Sequence, residues 1–230
     1  MADFPRVCWT LAVPTAEQVL ARARQAKPQS ARFVEVRLDF LREPQQGPEV
    51  IGALSRFRIQ AIATLRSVFA GGRYGGSLEG QLRLLRACGN AGAEILDLEI
   101  ESAEQAGRAA VAELRRSARL LLSFHDYLQT PEPVAAILKR LKVFPADFYK
   151  VVAHSSRHTE NAALLRLNSK ARGNGRVLAF ALGEIGAPTR VLSVARGAPF
   201  TYGAFSNQEA VAPGQMTGQE LLERYRLSRI

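Results

Sequence analysis

The chain is poor in the residues that cross-link, anchor or metallate a protein. Its 230 residues include two cysteines, Cys8 and Cys88, too few for a disulfide framework. No Cys-x-x-Cys pair or Cys/His cluster reads as structural zinc, and histidine is limited to His125, His154 and His158. No apolar run approaches the roughly 18 residues of a membrane span. The apolar stretch 7–13 is short and no small-residue cleavage pattern follows it, so it reads as a strand, not a signal peptide. A reducing cytoplasm is the expected compartment. Lysine is scarce too: Lys27, Lys139, Lys142, Lys150 and Lys170 are all there are, so the formal charge of +10 is nearly all arginine. Those arginines are scattered at helical spacing, as in Arg83 and Arg86, without interleaved aromatics or a nucleic-acid motif. Solvated helix faces and a small anionic substrate account for the charge better than a phosphate backbone does.

What is present is an ordinary globular composition, with 47% hydrophobic and 23% charged residues. Short β-branched and aliphatic runs alternate with longer amphipathic segments. The expected strands are 7–13, 33–39, 60–66, 94–100, 119–126, 147–154, 176–183 and 200–205. Helical patterns include 15–26, 78–90, 103–117, 133–141, 157–171 and 217–227. Thr15 and Ser77 suit N-caps, and Pro131 and Pro133 suit a helix opening after Thr130. Eight strand–helix units in this length predict an α/β fold of the (β/α)8 TIM barrel kind. A doubly wound sheet is disfavoured, because the first strand ends Ala12-Val13-Pro14-Thr15 without a glycine fingerprint. No linker interrupts the pattern, so residues 1–230 are expected to form a single domain.

Strands buried on both faces should be apolar, so polar residues in them need a reason. They gather toward the C-terminal strand ends, where barrels of this kind place active sites. Glu35, Arg37 and Asp39 share a face of the second strand, and Arg66 ends the third. Asp97 and Glu99 share a face of the fourth, His125-Asp126 ends the fifth, and Lys150 lies within the sixth. The acidic residues also suit a structural ion-pair ladder with the arginines, and His125 a core histidine bonded to a carbonyl. His154 and His158 suit loop or helix-cap roles. A lysine between apolar strand residues loses hydration, and nearby Arg66 or Arg37 further favours its neutral amine. Such an amine attacks carbonyls to give an imine. Lysine, histidine and several arginines together point to Schiff-base chemistry on a ketone or aldehyde bearing a carboxylate or phosphate. After the seventh strand, 182–190 places Arg190 just inside a helix, able to hold either anion; 212–215 follows the eighth.

Taken in order, these residues resemble the type I 3-dehydroquinate dehydratases over essentially the whole chain. The matching pieces are Glu35-Val-Arg37-Leu-Asp39, Thr64-Leu-Arg66, Asp97-Leu-Glu99 and Ser123-Phe-His125-Asp126-Tyr127 with Thr130-Pro131. Lys150 within Asp147-Phe-Tyr-Lys, Arg190 after Gly183 and Gly186, Thr201-Tyr-Gly203 and Ala212-Pro-Gly-Gln215 complete them. The resemblance implies that Lys150 forms an imine with the C3 ketone of 3-dehydroquinate. His125 would remove a C2 proton and protonate the departing C1 hydroxyl, with Asp97 or Glu99 as its acidic partner. It implies further that Arg190 grips the substrate carboxylate. Thr10, Glu35, Arg37, Arg66 and Gln215 would orient ring hydroxyls under a closing loop. No metal or dissociable cofactor is implied, and the family is usually homodimeric.

Two positions depart from the family pattern. A glutamate expected before the Gly-Gly pair is Ala70 here, and a serine expected before 212–215 is Val211. Glu79 or a water is a candidate replacement for the missing carboxylate. The alternatives are therefore a working dehydratase, a catalytically weakened homologue that binds dehydroquinate-like ligands, and an aldolase-like enzyme sharing the imine lysine.

Overall fold

The computed structural model describes residues 5–26, 32–168 and 176–227. Lys27, Lys170 and the end of the helix expected at 157–171 lie outside them. Strands and helices alternate throughout. The first half contains β1 (Val7–Leu11), α1 (Ala16–Ala26), β2 (Phe33–Arg37), α2 (Gly47–Arg56), β3 (Gln60–Thr64), α3 (Leu78–Asn90), β4 (Ile95–Glu99) and α4 (Ile100–Ser117). The second contains β5 (Arg119–Asp126), α5 (Val134–Leu141), β6 (Phe148–His154), α6 (His158–Asn168), β7 (Arg176–Leu182), α7 (Thr189–Ala195), β8 (Thr201–Ala204) and α8 (Gly218–Glu223). All strand pairings are parallel, in the order β7-β6-β5-β4-β3-β2-β1-β8. With a helix after each strand, the sheet curls into a nearly closed (β/α)8 barrel whose seam lies between β7 and β8. The loop after β8 reaches across that seam, where Gly183 N donates to Pro213 O at 3.2 Å.

The two-residue period of a strand sorts side chains between two cores. One set, Val34, Val36, Leu96, Leu98, Leu120, Leu122, Tyr149 and Val151, packs outward against the helices. The other set fills the cylinder with Cys8, Phe33, Ile62, Ile95, Leu121, Phe148, Phe200 and Tyr202. Stepping two residues toward the C-terminal end from that apolar floor reaches Thr10, Glu35, Thr64, Asp97, Ser123 and Lys150, all buried. The same alternation that builds the floor therefore lifts a polar layer above it.

Local chemistry sets the helix starts. Thr15 Oγ1 accepts from Gln18 N at 3.3 Å, and Ser77 accepts from Gly80 N. Thr217 and Glu220 form a reciprocal capping box on α8. Pro133 serves as the N-cap of α5, one residue before the helix. Some boundaries differ from the sequence expectation. Asp39 and Arg66 lie just beyond β2 and β3, because Asp39 turns back to grip Arg37 and the chain leaves β3 in a turn closed by Tyr74 N to Arg66 O. Helix α4 starts earlier than expected and is broken at Gly107, whose φ is +81°. Helix α2 was absent from the sequence expectation, although Pro48 and Glu49 open it and Val50, Ile51 and Leu54 bury its inner face. Both cysteines are buried and free. Among the described residues, no helix is long and apolar enough to cross a membrane.

Candidate active site

At the C-terminal end of the barrel, one small cavity, partly open to solvent, is lined by Thr10, Glu35, Arg37, Arg66, His125, Lys150, Arg190 and Gln215. Tyr127, Phe180, Tyr202 and Val211 also border it. These residues come from β1, β2, β5, β6, β7 and β8 and from segments that follow β3, β5, β7 and β8, yet they face a single space. Asp97 and Glu99 sit beneath the lining rather than in it, each about 1% exposed.

The centre of the network is Asp97. Its Oδ2 accepts from Lys150 Nζ at 2.8 Å and from Arg66 Nη2 at 2.7 Å, while Oδ1 accepts from Ser123 Oγ at 2.6 Å. Burial pushes this carboxyl up, but Arg66, Lys150 and His125 outweigh that and hold it well below the usual carboxylate range. Glu99 ties the layer to its surroundings. It takes Arg66 Nη1 at 3.2 Å, Ser67 N at 3.0 Å and Gln81 Nε2 at 2.7 Å. Glu35 is held by Thr64 Oγ1 at 2.9 Å and Thr10 Oγ1 at 3.1 Å, and Gln215 Nε2 reaches the same threonine at 3.4 Å. Arg37 is neutralised by a two-pronged contact with Asp39 at 2.9 and 2.7 Å. The ion-pair ladder open to the sequence is thus realised for Arg37 with Asp39 and for Arg66 with Asp97 and Glu99.

Lys150 is 4% exposed, with its Nζ 4.6 Å from the centroid of the Tyr202 ring. Neighbouring arginines were expected to leave it a free neutral amine. The structure adds a carboxylate contact that the sequence had assigned to histidine. Asp97 is shared, however, and Arg66 competes for the same oxygen. Among the described residues His125 donates no hydrogen bond to Asp97 or Glu99, whose oxygens accept from Arg66, Ser123, Gln81 and Lys150. Its Nδ1 is buried without a partner. Burial first, then Arg66 and Lys150, pull the His125 imidazole well below its ordinary range, with Asp97 opposing. The neutral ring can accept a proton. Arg190 differs from the other site arginines. It is 2% exposed, lies over the Phe180 ring at 4.8 Å, and has no carboxylate against it among the described residues. Burial lowers its guanidinium to about 10, with Tyr127 opposing. It stays cationic at neutral pH and can receive an anion.

Ala70 lies buried in the turn after β3, whose backbone donates from Ser67 N to Glu99 and from Arg73 N to Asp39. Glu79 is not a substitute: its side chain is 89% exposed on α3, facing Arg83. Thr130 Oγ1 donates to the His154 carbonyl at 2.7 Å, consistent with a loop-anchoring place for His154, and His158 opens α6. Sequence reading gave no role to Ser123, Gln81, Tyr127 or Tyr202. Ser123, Tyr127 and Tyr202 lay within matched motifs, but Gln81 is one polar residue on an amphipathic helix and carried no signal.

The profile of the family described as Type I 3-dehydroquinase matches residues 7–230. A 3-dehydroquinate dehydratase from Dehalococcoides mccartyi is 32% identical over 228 residues, spanning 98% of this chain and 96% of that protein. The crystal structure of a type I 3-dehydroquinate dehydratase from Clostridium difficile superposes with a TM-score of 0.85 at 21% identity, covering 98% of this chain and 93% of the other. One from Geobacillus kaustophilus gives 0.83 at 24%, covering 98% and 91%. At such identity the structural likenesses bear on the fold alone.

Proposed function

The chain belongs to the type I 3-dehydroquinase family, and from that premise we propose that it removes water from 3-dehydroquinate to give 3-dehydroshikimate through an imine on Lys150. The observation that carries this reading is that Lys150 and a neutral His125 face one cavity with Arg190, a buried cation without an anion. The substrate carboxylate occupies Arg190, which places the ring ketone over Lys150. Lys150 gives up its proton to the neutral His125 and adds to C3 as the free amine; that proton returns to the carbinolamine hydroxyl, which leaves as water and gives the iminium. Iminium formation withdraws electrons from C2, so the C2–H becomes acidic enough for the imidazole. His125 takes that proton and returns it to the C1 hydroxyl as water leaves. A second water hydrolyses the imine and frees Lys150.

Asp97 supports this chemistry through its hydrogen bonds to Lys150 and Arg66 and through its charge near His125, and Glu99 supports it through Arg66. Glu35, Arg37, Arg66, Thr10 and Gln215 orient the ring hydroxyls. The imine itself is the electron sink, so the proposal calls for no metal or dissociable cofactor. The family relationship also supports a cytoplasmic homodimer, for which light scattering should return twice the mass of the chain.

Incubation with 3-dehydroquinate should produce the absorbance of an enone, and borohydride added during turnover should leave a covalent adduct at Lys150. Lys150→Ala should abolish both; an adduct elsewhere, or none with active wild type, would overturn the imine. The unpartnered His125 Nδ1 favours a second reading, a weakened homologue that binds substrate without rapid turnover. Tight binding of 3-dehydroquinate with no enone formed would establish it.

A further inference from the structure

The general base of the proposed reaction has no hydrogen bond at Nδ1 to fix its plane, yet proton transfer needs that plane fixed. Tyr127 is placed to do so. Its ring lies alongside the His125 ring, 6.2 Å between centroids and 16° from parallel. The same tyrosine packs against the turn after β3. A Cβ added to Gly71 would lie 2.3 Å from Tyr127 Cε2 and 2.9 Å from its hydroxyl oxygen, and Gly71 itself has a φ of +76°. Only a glycine leaves that space, and the residue before it is the small Ala70. The tyrosine thus neighbours both the imidazole and the turn that holds Ala70 and Gly71.

We propose that Tyr127 is a positioning residue for His125, holding by ring stacking the orientation that a hydrogen-bonded carboxylate would otherwise set. The proposal rests on the imine reading of the site and adds what keeps its base in line. A stacked ring fixes the imidazole without placing a negative charge beside it. The charged groups that act on His125 are then Arg66, Lys150, Asp97 and Arg37, which on balance favour the neutral form. A carboxylate at the same place would have fixed the ring and raised its proton affinity together.

The test is Tyr127→Ala beside Tyr127→Phe, read by steady-state kinetics, pH profile and borohydride trapping with 3-dehydroquinate. Tyr127→Ala should lower kcat by about 100-fold, the cost of a misplaced reacting group, with KM changed only a few-fold. Its imine should still form and be trapped at Lys150, showing that the pocket is intact. Its acid limb should move to higher pH as water reaches the loosened imidazole. Tyr127→Phe, which keeps the ring, should restore kcat to within a few-fold of wild type. An unchanged kcat in Tyr127→Ala overturns the proposal. So does a Tyr127→Phe variant as slow as the alanine, which would assign the role to the hydroxyl. Loss of trapping together with kcat in Tyr127→Ala would make the residue merely structural. If wild type itself turns over without a trappable imine, the underlying chemistry fails, and that outcome is separate from the others.

Discussion

Arg37, Arg66 and Arg190 are all buried, but Arg37 and Arg66 have carboxylates against them and Arg190 has none among the described residues. Burying a lone cation costs stability, and that cost is offset when a ligand brings the missing anion. Arg190→Gln should therefore raise KM by roughly 10- to 100-fold, the equivalent of losing one charge-assisted hydrogen bond, with a smaller effect on kcat. Steady-state kinetics with 3-dehydroquinate would check it, and an unchanged KM would place the carboxylate elsewhere. For His125 the sign follows from the lowered imidazole: the base stays unprotonated as pH falls through the ordinary histidine range. The acid limb of kcat/KM should then lie below about pH 6.5, and a limb at or above that value would show a histidine more exposed or more anionically surrounded. Ala70→Glu should raise kcat no more than a few-fold, because Tyr127 already orients the ring. A gain of about 100-fold, as large as that from repairing a misplaced group, would favour the weakened-homologue reading instead. At this scale the sequence exposed Lys150, His125 and Arg190 by residue type and place in the strand. It did not expose which carboxylate each would meet, since Asp97 or Glu99 was expected beside the histidine and Asp97 is bonded to the lysine.

Gly214 shows how an element carries the site. Its φ is +72°, and a Cβ there would lie 2.5 Å from the Gly183 carbonyl, so the loop bearing Gln215 crosses the β7–β8 seam at a distance only glycine allows. Gly214→Ala should lift that loop and raise KM several-fold while leaving the imine trappable; a variant with wild-type KM would show the loop to be dispensable. The capping box of α8 makes a different prediction. Thr217→Ala removes an acceptor for Glu220 N and should lower stability by about 1 kcal/mol in urea unfolding, with kinetics near wild type. The strands were legible because their alternation is short-ranged and strong. Helix α2 was not, because Gly47-Pro48 at its start reads as a turn until Val50, Ile51 and Leu54 are seen packed inward. The ends of β2 and β3 were overextended, since ion-pairing of Asp39 with Arg37 bends the chain where periodicity alone would continue it.

For the molecule as a whole, surface ion pairs neutralise some of the arginines, and the +10 excess rests on the other cations. Arg115 meets Asp147, Arg140 meets Glu101 and Glu104, and Arg86 meets Glu113 across neighbouring elements. These are exposed pairs of small individual worth, and their arrangement leaves the solvated-face reading in place. Acid stability follows from the buried groups. Above its unfolded pKa, His125 is neutral in both states; as pH falls below it, the unfolded chain takes up a proton that the folded site resists. Stability should decline from about pH 6.5 downward by at most about 1.4 kcal/mol per pH unit from this group. Asp97 has a lowered folded value, so its contribution is full above about pH 4, the unfolded range, and is lost only at lower pH. Urea midpoints measured from pH 8 to 4 should show the first decline, and His125→Gln should flatten it. A flat wild-type profile over that range would mean that the imidazole is solvated.

By itself the sequence determined the barrel and the set of polar residues at its open end. Strand alternation and helix punctuation are properties of neighbours along the chain, and they survive without any long-range contact. Only the tertiary structure decided the pairings: that Asp97 serves lysine and arginine, that Arg190 meets no carboxylate among the described residues, and that Tyr127 neighbours both His125 and Gly71. Those partners come from strands dozens of residues apart, and barrel stagger sets which inward side chain reaches which. A partner therefore depends on three-dimensional register, which no local pattern encodes.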